Sequence, residues 1–350
     1  MLFRSGDGNL WAGTAASRLL RLRPRRFASL PGEELSDVSV TVLAQTRDQA
    51  LWIGTYDQGL YRWRDGKVAR FNLGLDDLPG YIRALCEDGQ HRLWAGTQDN
   101  GVFEWRGEEW GRPFPPEAIG HQARVIFADS RGRVWFGNGL GVYCWEAGRL
   151  TSYTNLLSAG AADIRSAAED RSGALWFGSM RSGLYRCRNG QFTRFTRAEG
   201  LAQDSVLALH ASREGTLWIG TTAGLSRYQE GRFVNFTAKD GLPSLSIRFI
   251  TEDEQGHLWL GTLGGVVRVR QAELDAGAQG RGRRISWMLF DEKDGMPAQE
   301  CNGGYQPAGC RLQDGRICWP TPKGVAVVQP ASLALHSTPP RATIEEILVD

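Results

Sequence analysis

The sequence lacks the features of a nucleic-acid-binding, membrane-embedded or exported chain. Its 350 residues carry 41 basic and 39 acidic side chains, and the formal net charge of +2 gives no electrostatic reason to expect nucleic acid or an anionic membrane surface as a partner. No stretch approaches the roughly 18 to 20 consecutive apolar residues of a membrane span. Residues 1–13 contain no apolar run long enough for a signal peptide. We therefore expect no membrane contact by this segment.

Metal-ligand patterns are also missing. The 6 cysteines form no CxxC pair and the 5 histidines are scattered without a ligand spacing, so neither a metal site nor a cofactor is expected. Cys301 and Cys310 bracket a short glycine-rich segment, and in an oxidising compartment they are candidates for a disulfide. The alternative is that they are isolated thiols.

Glycine and tryptophan, by contrast, are abundant, with 44 and 13 residues. Seven of the tryptophans recur at spacings of 41 or 42 residues in copies of a Leu-Trp-x-Gly-Thr pattern, namely Trp11, Trp52, Trp94, Trp135, Trp176, Trp218 and Trp259. An altered eighth copy at residues 317–321 has Cys318 in the tryptophan place, 59 residues after Trp259. This longer spacing indicates about 18 inserted residues, which we place around Gln271–Arg284.

Each period contains four short runs with the alternation of β-strands, separated by turn residues. In one copy the runs are residues 205–212, 216–222, 225–229 and 232–237. Four antiparallel strands in a unit of this length, repeated seven or eight times, predict an all-β fold, a β-propeller of four-stranded blades. We favour seven blades over eight.

The repeats assign residues 38–330 to the propeller and leave residues 1–30 as a partial blade or a ring-closing strand. The eighth copy has no obvious fourth strand after Val328, and Arg25–Leu30 is a segment that offers one. In that case the copy around Trp11 is either a leftover blade of a preceding propeller or an eighth blade.

The repeated residues themselves are predicted to be structural. A tryptophan ring fills the space between neighbouring blades, and the glycines supply tight turns and close packing. An acidic residue five or six positions before the tryptophan, as at Asp88, Asp129 and Asp253, is expected to cap backbone N–H groups of a hairpin turn. We therefore do not interpret these carboxylates as catalytic.

The segment Glu252–Arg270, EDEQGHLWLGTLGGVVRVR, resembles the repeat of the two-component regulator propeller family. Members are bacterial receptors in which propellers precede an immunoglobulin-like domain, a membrane helix and a cytoplasmic output domain. Residues 314–330 are similar to the family's closing repeat, and residues 339–350 to the first strand of the immunoglobulin-like domain, here truncated.

The resemblance implies a non-catalytic, ligand-sensing propeller on the periplasmic or extracellular side of a bacterial inner membrane. The parent receptor would be a histidine kinase or a diguanylate cyclase. The implied ligand is carbohydrate-derived or another small polar molecule. The implied partners are the adjacent propeller, the immunoglobulin-like domain and a second copy of the chain.

Ligand-binding residues are expected on loops, because the loops vary while the scaffold repeats. In a propeller, the loops from second to third strand and from fourth strand to the next blade share one face around the central channel. The polar and aromatic candidates in the early second-to-third loops are Tyr56, Asp57, Gln98, Asp99, Asn100, Asn138 and Arg181.

Arginine recurs at one further position, eleven residues before the tryptophan. The arginines are Arg83, Arg124, Arg165 and Arg248, and the other two complete copies have Thr41 and Leu207 there. Four guanidinium groups around the channel mouth predict an anion site. The alternative is that each arginine pairs with an acidic residue or a loop carbonyl of the neighbouring blade.

We do not expect an enzyme. Outside the repeated turns the sequence has no paired carboxylates, no Gly-x-Ser-x-Gly pattern and no nucleophile with an obvious base. The alternatives to a sensor are a protein-interaction scaffold and, less favoured, a propeller lyase or glycosidase.

Overall fold

The computed structural model describes residues 2–4, 10–13, 19–22, 25–73, 80–154, 162–281 and 285–333. Its strands form seven four-stranded antiparallel sheets and one separate three-stranded sheet. The seven sheets are the blades of a β-propeller, which confirms both the predicted fold and the favoured blade number. Residues 339–350, which the sequence assigns to the start of a further domain, lie outside the described residues.

The strands follow the chain blade by blade. The three-stranded sheet contains β1 (Leu2–Arg4), β2 (Leu10–Gly13) and β3 (Leu19–Leu22), and β4 is Phe27–Ser29. Blade 1 contains β5 (Val40–Gln45), β6 (Leu51–Thr55), β7 (Leu60–Arg64) and β8 (Lys67–Phe71). Blade 2 contains β9 (Ile82–Glu87), β10 (Leu93–Thr97), β11 (Val102–Trp105) and β12 (Trp110–Gly111). Blade 3 contains β13 (Val125–Ala128), β14 (Val134–Gly137), β15 (Val142–Glu146) and β16 (Arg149–Ser152).

The remaining blades follow the same order. Blade 4 contains β17 (Ile164–Glu169), β18 (Leu175–Ser179), β19 (Gly183–Arg188) and β20 (Gln191–Phe195). Blade 5 contains β21 (Val206–Ala211), β22 (Leu217–Thr221), β23 (Gly224–Gln229) and β24 (Arg232–Phe236). Blade 6 contains β25 (Ile247–Glu252), β26 (His257–Thr262), β27 (Gly265–Arg270) and β28 (Met288–Phe290), with helix α1 (Gln271–Ala278) before β28. Blade 7 contains β29 (Cys310–Arg311), β30 (Ile317–Thr321) and β31 (Gly324–Val328).

The fourth strand of blade 7 comes from the other end of the sequence. β4 pairs antiparallel with β31, in the register Phe27↔Val328, Ala28↔Val327 and Ser29↔Ala326. The segment that the sequence offered for this purpose thus joins the first and last parts of the ring in one sheet. The copy around Trp11 lies instead in the separate sheet of β1 to β3.

The hydrophobic core is divided among the seven interfaces between blades. Each of seven buried clusters combines apolar residues of two successive blades, and one of them packs Leu43 and Ile53 of blade 1 against Cys318 and Val325 of blade 7. In blades 1 to 6 the repeated tryptophan fills the interface, with at most 4% of its surface exposed. A blade alone leaves these faces in water, so the core depends on the neighbouring blades.

The repeated aspartate bonds to the tryptophan of its own blade, which the sequence did not reveal. The indole N–H groups of Trp94, Trp135, Trp176 and Trp259 donate to Asp88, Asp129, Asp170 and Asp253 at 2.7 to 2.8 Å. The other carboxylate oxygen caps the turn, as when Asp88 Oδ1 accepts from the backbone of Gln90 at 2.9 Å and of Arg92 at 3.1 Å. The predicted capping role is confirmed, and the indole contact adds a second one.

At three of these carboxyl groups, hydrogen bonding has a larger effect on the pKa than burial does. Burial alone would raise the pKa of Asp88, Asp170 and Asp253, but hydrogen bonds from the indole and from turn N–H groups favour the ionised form. The pKa of each carboxyl is therefore held below its ordinary value. Their contribution to stability is present above the unfolded-state pKa of about 3.9 and is lost as the pH falls through the lower folded value.

Blade 5 departs from this arrangement because Ser212 stands in the aspartate place. The buried indole N–H of Trp218 has no acceptor among the described residues. Ser212 Oγ still accepts from the Thr216 backbone at 3.1 Å, so the turn is capped, but the indole is not reached. Blade 4 is the natural comparison, because Asp170 there accepts from Trp176 and the residue four positions later is Ala174, whereas Arg92 and Arg133 pair with the aspartate from that position in blades 2 and 3.

Ser212→Asp is expected to stabilise the protein, because the carboxylate would accept the hydrogen bond of Trp218. We expect the free energy of unfolding at pH 7 to rise by about 1 kcal/mol, and Asp170→Ser to lower it by about 1 to 3 kcal/mol. Urea denaturation of both variants measures this. Repeating it below pH 4 should shrink both differences progressively, since the carboxyl groups of the unfolded chain are protonated there first and those of the folded protein follow at their lower pKa. A loss of stability in Ser212→Asp at pH 7 would contradict the pairing argument.

Phe27→Ala is expected to weaken the ring at its closing sheet. Phe27 is 2% exposed and packs against Phe290 and Trp319, with ring centroids 5.3 and 5.7 Å away. Loss of such a buried ring costs about 3 to 5 kcal/mol. Phe27→Leu retains most of the apolar volume and serves as the control in the same denaturation experiment. Equal stability of the two variants would show that β4 contributes little.

Candidate functional site

The loops predicted to share one face do meet there. The second-to-third loops bond to the segments that enter the innermost strands of their own blades, as from Tyr56 N to Ser39 O at 2.9 Å, Gln98 N to Tyr81 O at 3.0 Å and Met180 N to Asp163 O at 2.9 Å. These bonds form the rim of the channel mouth. The first strands of neighbouring blades also contact each other around the ring, so they line the channel itself.

The recurring arginine position is a β-bulge in the innermost strand. In five blades the register between the first and second strands shifts at this residue, which is Thr41, Arg83, Arg165, Leu207 or Arg248. In the other two, Arg124 and Asn302 donate backbone N–H bonds to Gly137 and Pro320 at the corresponding place in the second strand. Bulges redirect a side chain out of the regular alternation. We call these seven residues the ring positions.

Blade 7 inserts a segment of its own chain into the channel. Its innermost strand begins at Cys301 and resumes at Cys310, nine positions later, whereas the corresponding residues of blade 6, Ile247 and Thr251, are four positions apart. We call residues 302–309 the plug. The sequence placed all of the inserted residues near Gln271–Arg284, and this was only partly right.

The two insertions have different roles. In blade 6 the third strand pairs with the fourth through residues 268 and 288, and the corresponding pair in blade 5 is residues 227 and 234. The connection in blade 6 is therefore thirteen residues longer, and these extra residues include helix α1. The plug accounts for the other five. The spacing from Trp259 to Cys318 gives only the total number of inserted residues. It is the same wherever the residues are inserted between these two positions, so the sequence could not show that there are two insertions.

The plug contacts several blades at once. Asn302 Nδ2 donates to Val40 O of blade 1 at 2.6 Å, and Pro307 O accepts from Leu43 N at 3.1 Å. The backbone of Gln306 forms a parallel bridge to Ala84 of blade 2. The amide of Gln306 accepts from the N–H of Ala167 in blade 4 and donates to its carbonyl at 2.8 Å. The plug therefore crosses the channel and joins non-adjacent blades.

The arginines at the ring positions have different partners. Arg165 binds Asp163 with two hydrogen bonds, at 3.0 and 3.2 Å, and Arg124 of the preceding blade pairs with the same carboxylate. Arg165 also reaches Gly304 O of the plug at 3.4 Å. Arg248 pairs with Glu300 at 3.1 Å. These three arginines pair with carboxylates, but the pair of Arg165 with Asp163 lies within blade 4, whereas the alternative drawn from the sequence placed each partner on the neighbouring blade.

Arg83 differs because its guanidinium lies over aromatic rings. It is 4.6 Å from the ring centroid of Tyr81 and 5.4 Å from that of Tyr305 in the plug. The two tyrosine hydroxyl groups are in hydrogen-bond contact, and Tyr56 packs on Tyr81 with centroids 4.4 Å apart. Burial and the neighbouring Tyr305 hydroxyl raise the pKa of Tyr81, so this cluster stays neutral apart from Arg83.

The other predicted residues line the same face with different exposure. Tyr56, Asp57, Asp99 and Arg181 are exposed, and Gln98 and Asn100 are partly buried. Gln98 Oε1 is buried with no donor among the described residues. Asn138 is buried, and its amide is used internally: Nδ2 donates to Ile119 O and Gln122 O, and Oδ1 accepts from Leu140 N and Gly141 N. Asn138 thus holds its loop and has no free group for a ligand.

Four residues of this face were not among the sequence candidates. They are Tyr81, Asp163, Tyr305 and Gln306. Tyr81 and Asp163 precede Arg83 and Arg165 by two positions, so strand alternation was the available signal for them. Tyr305 and Gln306 had no such signal, because the plug is outside the repeat.

The opposite end of the molecule has a cavity of about 820 Å³ between the turns of blades 1, 2 and 3. Several of its charged groups pair with one another. Arg92 bonds Asp88 at 2.7 Å and Glu104 at 3.1 Å, and Arg106 bonds Glu104 at 3.2 Å. Arg92 and Asp88 belong to the repeated turn and Glu104 to β11, and we assign these pairs to the scaffold.

The structure places the 6 cysteines as free thiols, so the Cys301–Cys310 pairing considered from the sequence is not present. Cys310 faces Cys318 across the hairpin instead, because the plug separates it from Cys301. Within the described residues no group of three or more His, Cys, Asp or Glu side chains has a metal-binding arrangement. No helix in the described part of the chain has the length and apolar character needed to cross a membrane.

Comparison with known proteins agrees with the repeat and the fold. Residues 34–57, 77–99 and 241–264 match the two component regulator propeller family. The same kind of comparison with curated protein sequences finds no significant match.

Several solved structures are similar. The extracellular domain of a protein described as a hybrid two-component system from B. thetaiotaomicron has a TM-score of 0.77 at 22% identity, over 99% of this chain and 49% of that chain. Virginiamycin B lyase from Staphylococcus aureus has a TM-score of 0.67 at 15% identity, over 87% and 98% of the two chains. YCF48 from Cyanidioschyzon merolae has a TM-score of 0.63 at 12% identity, over 88% and 100%.

The chain is thus a seven-bladed β-propeller that spans about half the length of the two-component relative. Three segments, in blades 1, 2 and 6, match the two component regulator propeller family. At these identities the structural likeness establishes the fold alone, since both a lyase and an extracellular domain of a two-component system are similar to this chain.

Gln306→Ala is expected to loosen the plug. The substitution leaves the N–H and C=O of Ala167 without the partners that Gln306 supplies, at a cost of about 1 to 3 kcal/mol in the free energy of unfolding. Gln45→Ala, which removes an exposed contact to the Gln313 backbone, is the matched control and should cost less than about 0.5 kcal/mol. Chemical denaturation compares the two. Equal effects would mean that the plug is not held by Gln306.

Proposed function

We propose that this chain is the ligand-sensing propeller of a bacterial transmembrane signalling receptor of two-component or diguanylate cyclase type. The propeller would lie on the periplasmic or extracellular side of the membrane. Its ligand would be a carbohydrate-derived or other small polar molecule. The matched repeats and the fold shared with an extracellular two-component domain support this proposal.

The observation that carries the proposal is the bulge at the ring positions. In five blades a bulge directs the side chain at the ring position toward the channel mouth. The residue type at this position differs between blades, whereas the scaffold beneath it repeats. Charged and aromatic groups meet there, namely Arg83, Arg124, Arg165, Tyr81 and Tyr305. A rigid frame with variable polar groups at one concave end suits recognition of a small ligand.

A binding role fits the chemistry of this face better than catalysis. The carboxylates with lowered pKa values accept indole and backbone hydrogen bonds inside turns, so they are unavailable as proton donors or acceptors for a substrate. At the channel mouth Asp163 is already bound by two arginines. We therefore place the chain with non-catalytic propellers rather than with the lyases of similar fold.

Signalling through such a domain requires that the ligand favour one arrangement of the protein over another. The plug offers a physical connection, since it contacts Arg83 and Arg165 at the mouth and continues into β29 of the last blade. The adjacent propeller and the immunoglobulin-like domain are the proposed partners in this response, together with a second copy of the chain.

A protein-interaction scaffold is the second candidate, and exposed apolar groups favour it. Tyr56 and Leu140 are 55% and 60% exposed, and Leu245 and Leu263 are also exposed. All four lie on loops of the same face as the ring positions. A partner protein seated on this face would cover them.

A thermal-shift panel of neutral sugars, acidic sugars and small organic acids tests the proposal. Binding to the folded state raises its stability by RT ln(1 + [L]/Kd), so at least one compound should raise the melting temperature in proportion to its concentration. Size-exclusion chromatography with light scattering, run on the same samples, reports association. If no compound raises the melting temperature while the chain associates through Tyr56 and Leu140, the scaffold function replaces the sensor.

A further inference from the structure

Charge is not balanced equally around the channel mouth. Arg248 on blade 6 has its own carboxylate, Glu300. On blades 2, 3 and 4, Asp163 is shared by Arg124 and Arg165, and no carboxylate among the described residues lies within ion-pair distance of Arg83. Within ion-pair distance, three guanidinium groups thus share one carboxylate, and the exposed Asp57 and Asp99 on the same face form no ion pair with them among the described residues.

Several donors on this side are also unused. Arg83 Nε, Arg83 Nη1 and Arg124 Nε are buried without an acceptor in the described part of the chain. Unpaired charged donors in such a setting are costly. Arg165 and Arg83 contact adjacent residues of the plug, Gly304 and Tyr305, and Arg124 shares Asp163 with Arg165, so the three guanidinium groups occupy one region of the mouth. Burial, and the neighbouring charges of Arg165 and Arg83, accordingly lower the pKa of Arg124. An added anion would relieve both costs.

The surroundings favour a planar anion on a small organic ligand. Arg124 and Arg165 remain 16% and 20% exposed, so solvent reaches the cluster. Tyr81 and Tyr305 wall it on one side, and the exposed ring of Tyr56 continues that wall outward. Guanidinium groups pair with carboxylates in a bidentate, coplanar manner, and aromatic walls suit the carbon skeleton attached to such a group.

We propose that Arg83, Arg124 and Arg165, with Tyr81 and Tyr305, form a pocket that binds the carboxylate of an acidic ligand. This inference rests on the proposed sensing function for a ligand at this face, and it adds the ligand's chemical class. Arg83 supplies the charge that no protein carboxylate neutralises. Arg124 and Arg165, held by Asp163, fix the position of the anion.

The repeat provides a matched control for this pocket. Arg248 occupies the same bulge position in blade 6 as Arg83 in blade 2, but it is neutralised by Glu300. Replacing either arginine by glutamine removes one charge from an equivalent backbone site. Only the substitution at Arg83 should affect an acidic ligand.

The experiment is isothermal titration of the chain with sodium glucuronate, sodium galacturonate, glucose and galactose. We expect the acidic sugars to bind and the neutral ones to bind at least about tenfold more weakly. Arg83→Gln should weaken binding of the acidic sugar by at least about tenfold, the loss expected for one charge-assisted hydrogen bond. Arg248→Gln should change it by less than about twofold.

Stability separates binding from a structural role. Arg83→Gln removes an unneutralised buried charge, so the ligand-free melting temperature should stay the same or rise while binding is lost. Arg83→Lys, which keeps the charge without the planar fork, should retain part of the affinity. A fall in melting temperature for Arg83→Gln with unchanged affinity would overturn the proposal.

The outcomes distinguish this inference from the proposed function. If neutral sugars bind and acidic ones do not, the sensor stands and the carboxylate pocket is wrong. If Arg83→Gln and Arg248→Gln weaken acidic-ligand binding equally, the ring acts through its general charge, and the specific pocket is again wrong. If none of these four sugars binds, the carboxylate pocket is wrong, and the sensor is then judged on the thermal-shift panel, which also contains organic acids.

Discussion

The structure depends on one constraint: each blade buries its hydrophobic face only against the next blade. Seven clusters meet this need, and one of them packs blade 7 against blade 1 with Leu30, just after β4, between them. The pairing of Phe27–Ser29 with β31 supplies the outer strand of blade 7, and without it β31 would have an unpaired edge. The seven interfaces thus form one continuous circle.

The fold could be predicted from the sequence because each of the seven blades buries its hydrophobic face in the same way, with the same residue types at the same positions. The tryptophan and the glycines recur at the same spacing, and seven blades are favoured when the copy around Trp11 is set apart and the altered copy at Cys318 is included. What could not be predicted is how the repeated residues contact one another. The bond from Trp94 to Asp88 joins two residues six positions apart, on the strand and on the preceding turn, and only the turn geometry brings them together.

Only part of the site could be predicted, because the repeat reveals residues that share a position in each blade and no others. Arg83, Arg124, Arg165 and Arg248 were found because they share a register position, and the structure places all four at the channel mouth. Their partners do not share a register. Tyr305 and Gln306 belong to the plug, which interrupts the innermost strand of blade 7, so aligning the copies could not show that this segment reaches blades 2 and 4.

Symmetry makes the differences between ring positions informative. Arg83 and Arg248 have the same bulge and the same position in their blades, so the backbone cannot account for their different partners. Arg248 has a carboxylate within 3.1 Å, whereas Arg83 has tyrosine rings and unused donors. Arg83 is half-buried, and the faces of Tyr81 and Tyr305 are its contacts in place of a carboxylate. Tyr305 belongs to the plug and Glu300 to the segment just before it, so the residues around each ring position, and not its backbone, determine the partner of its arginine.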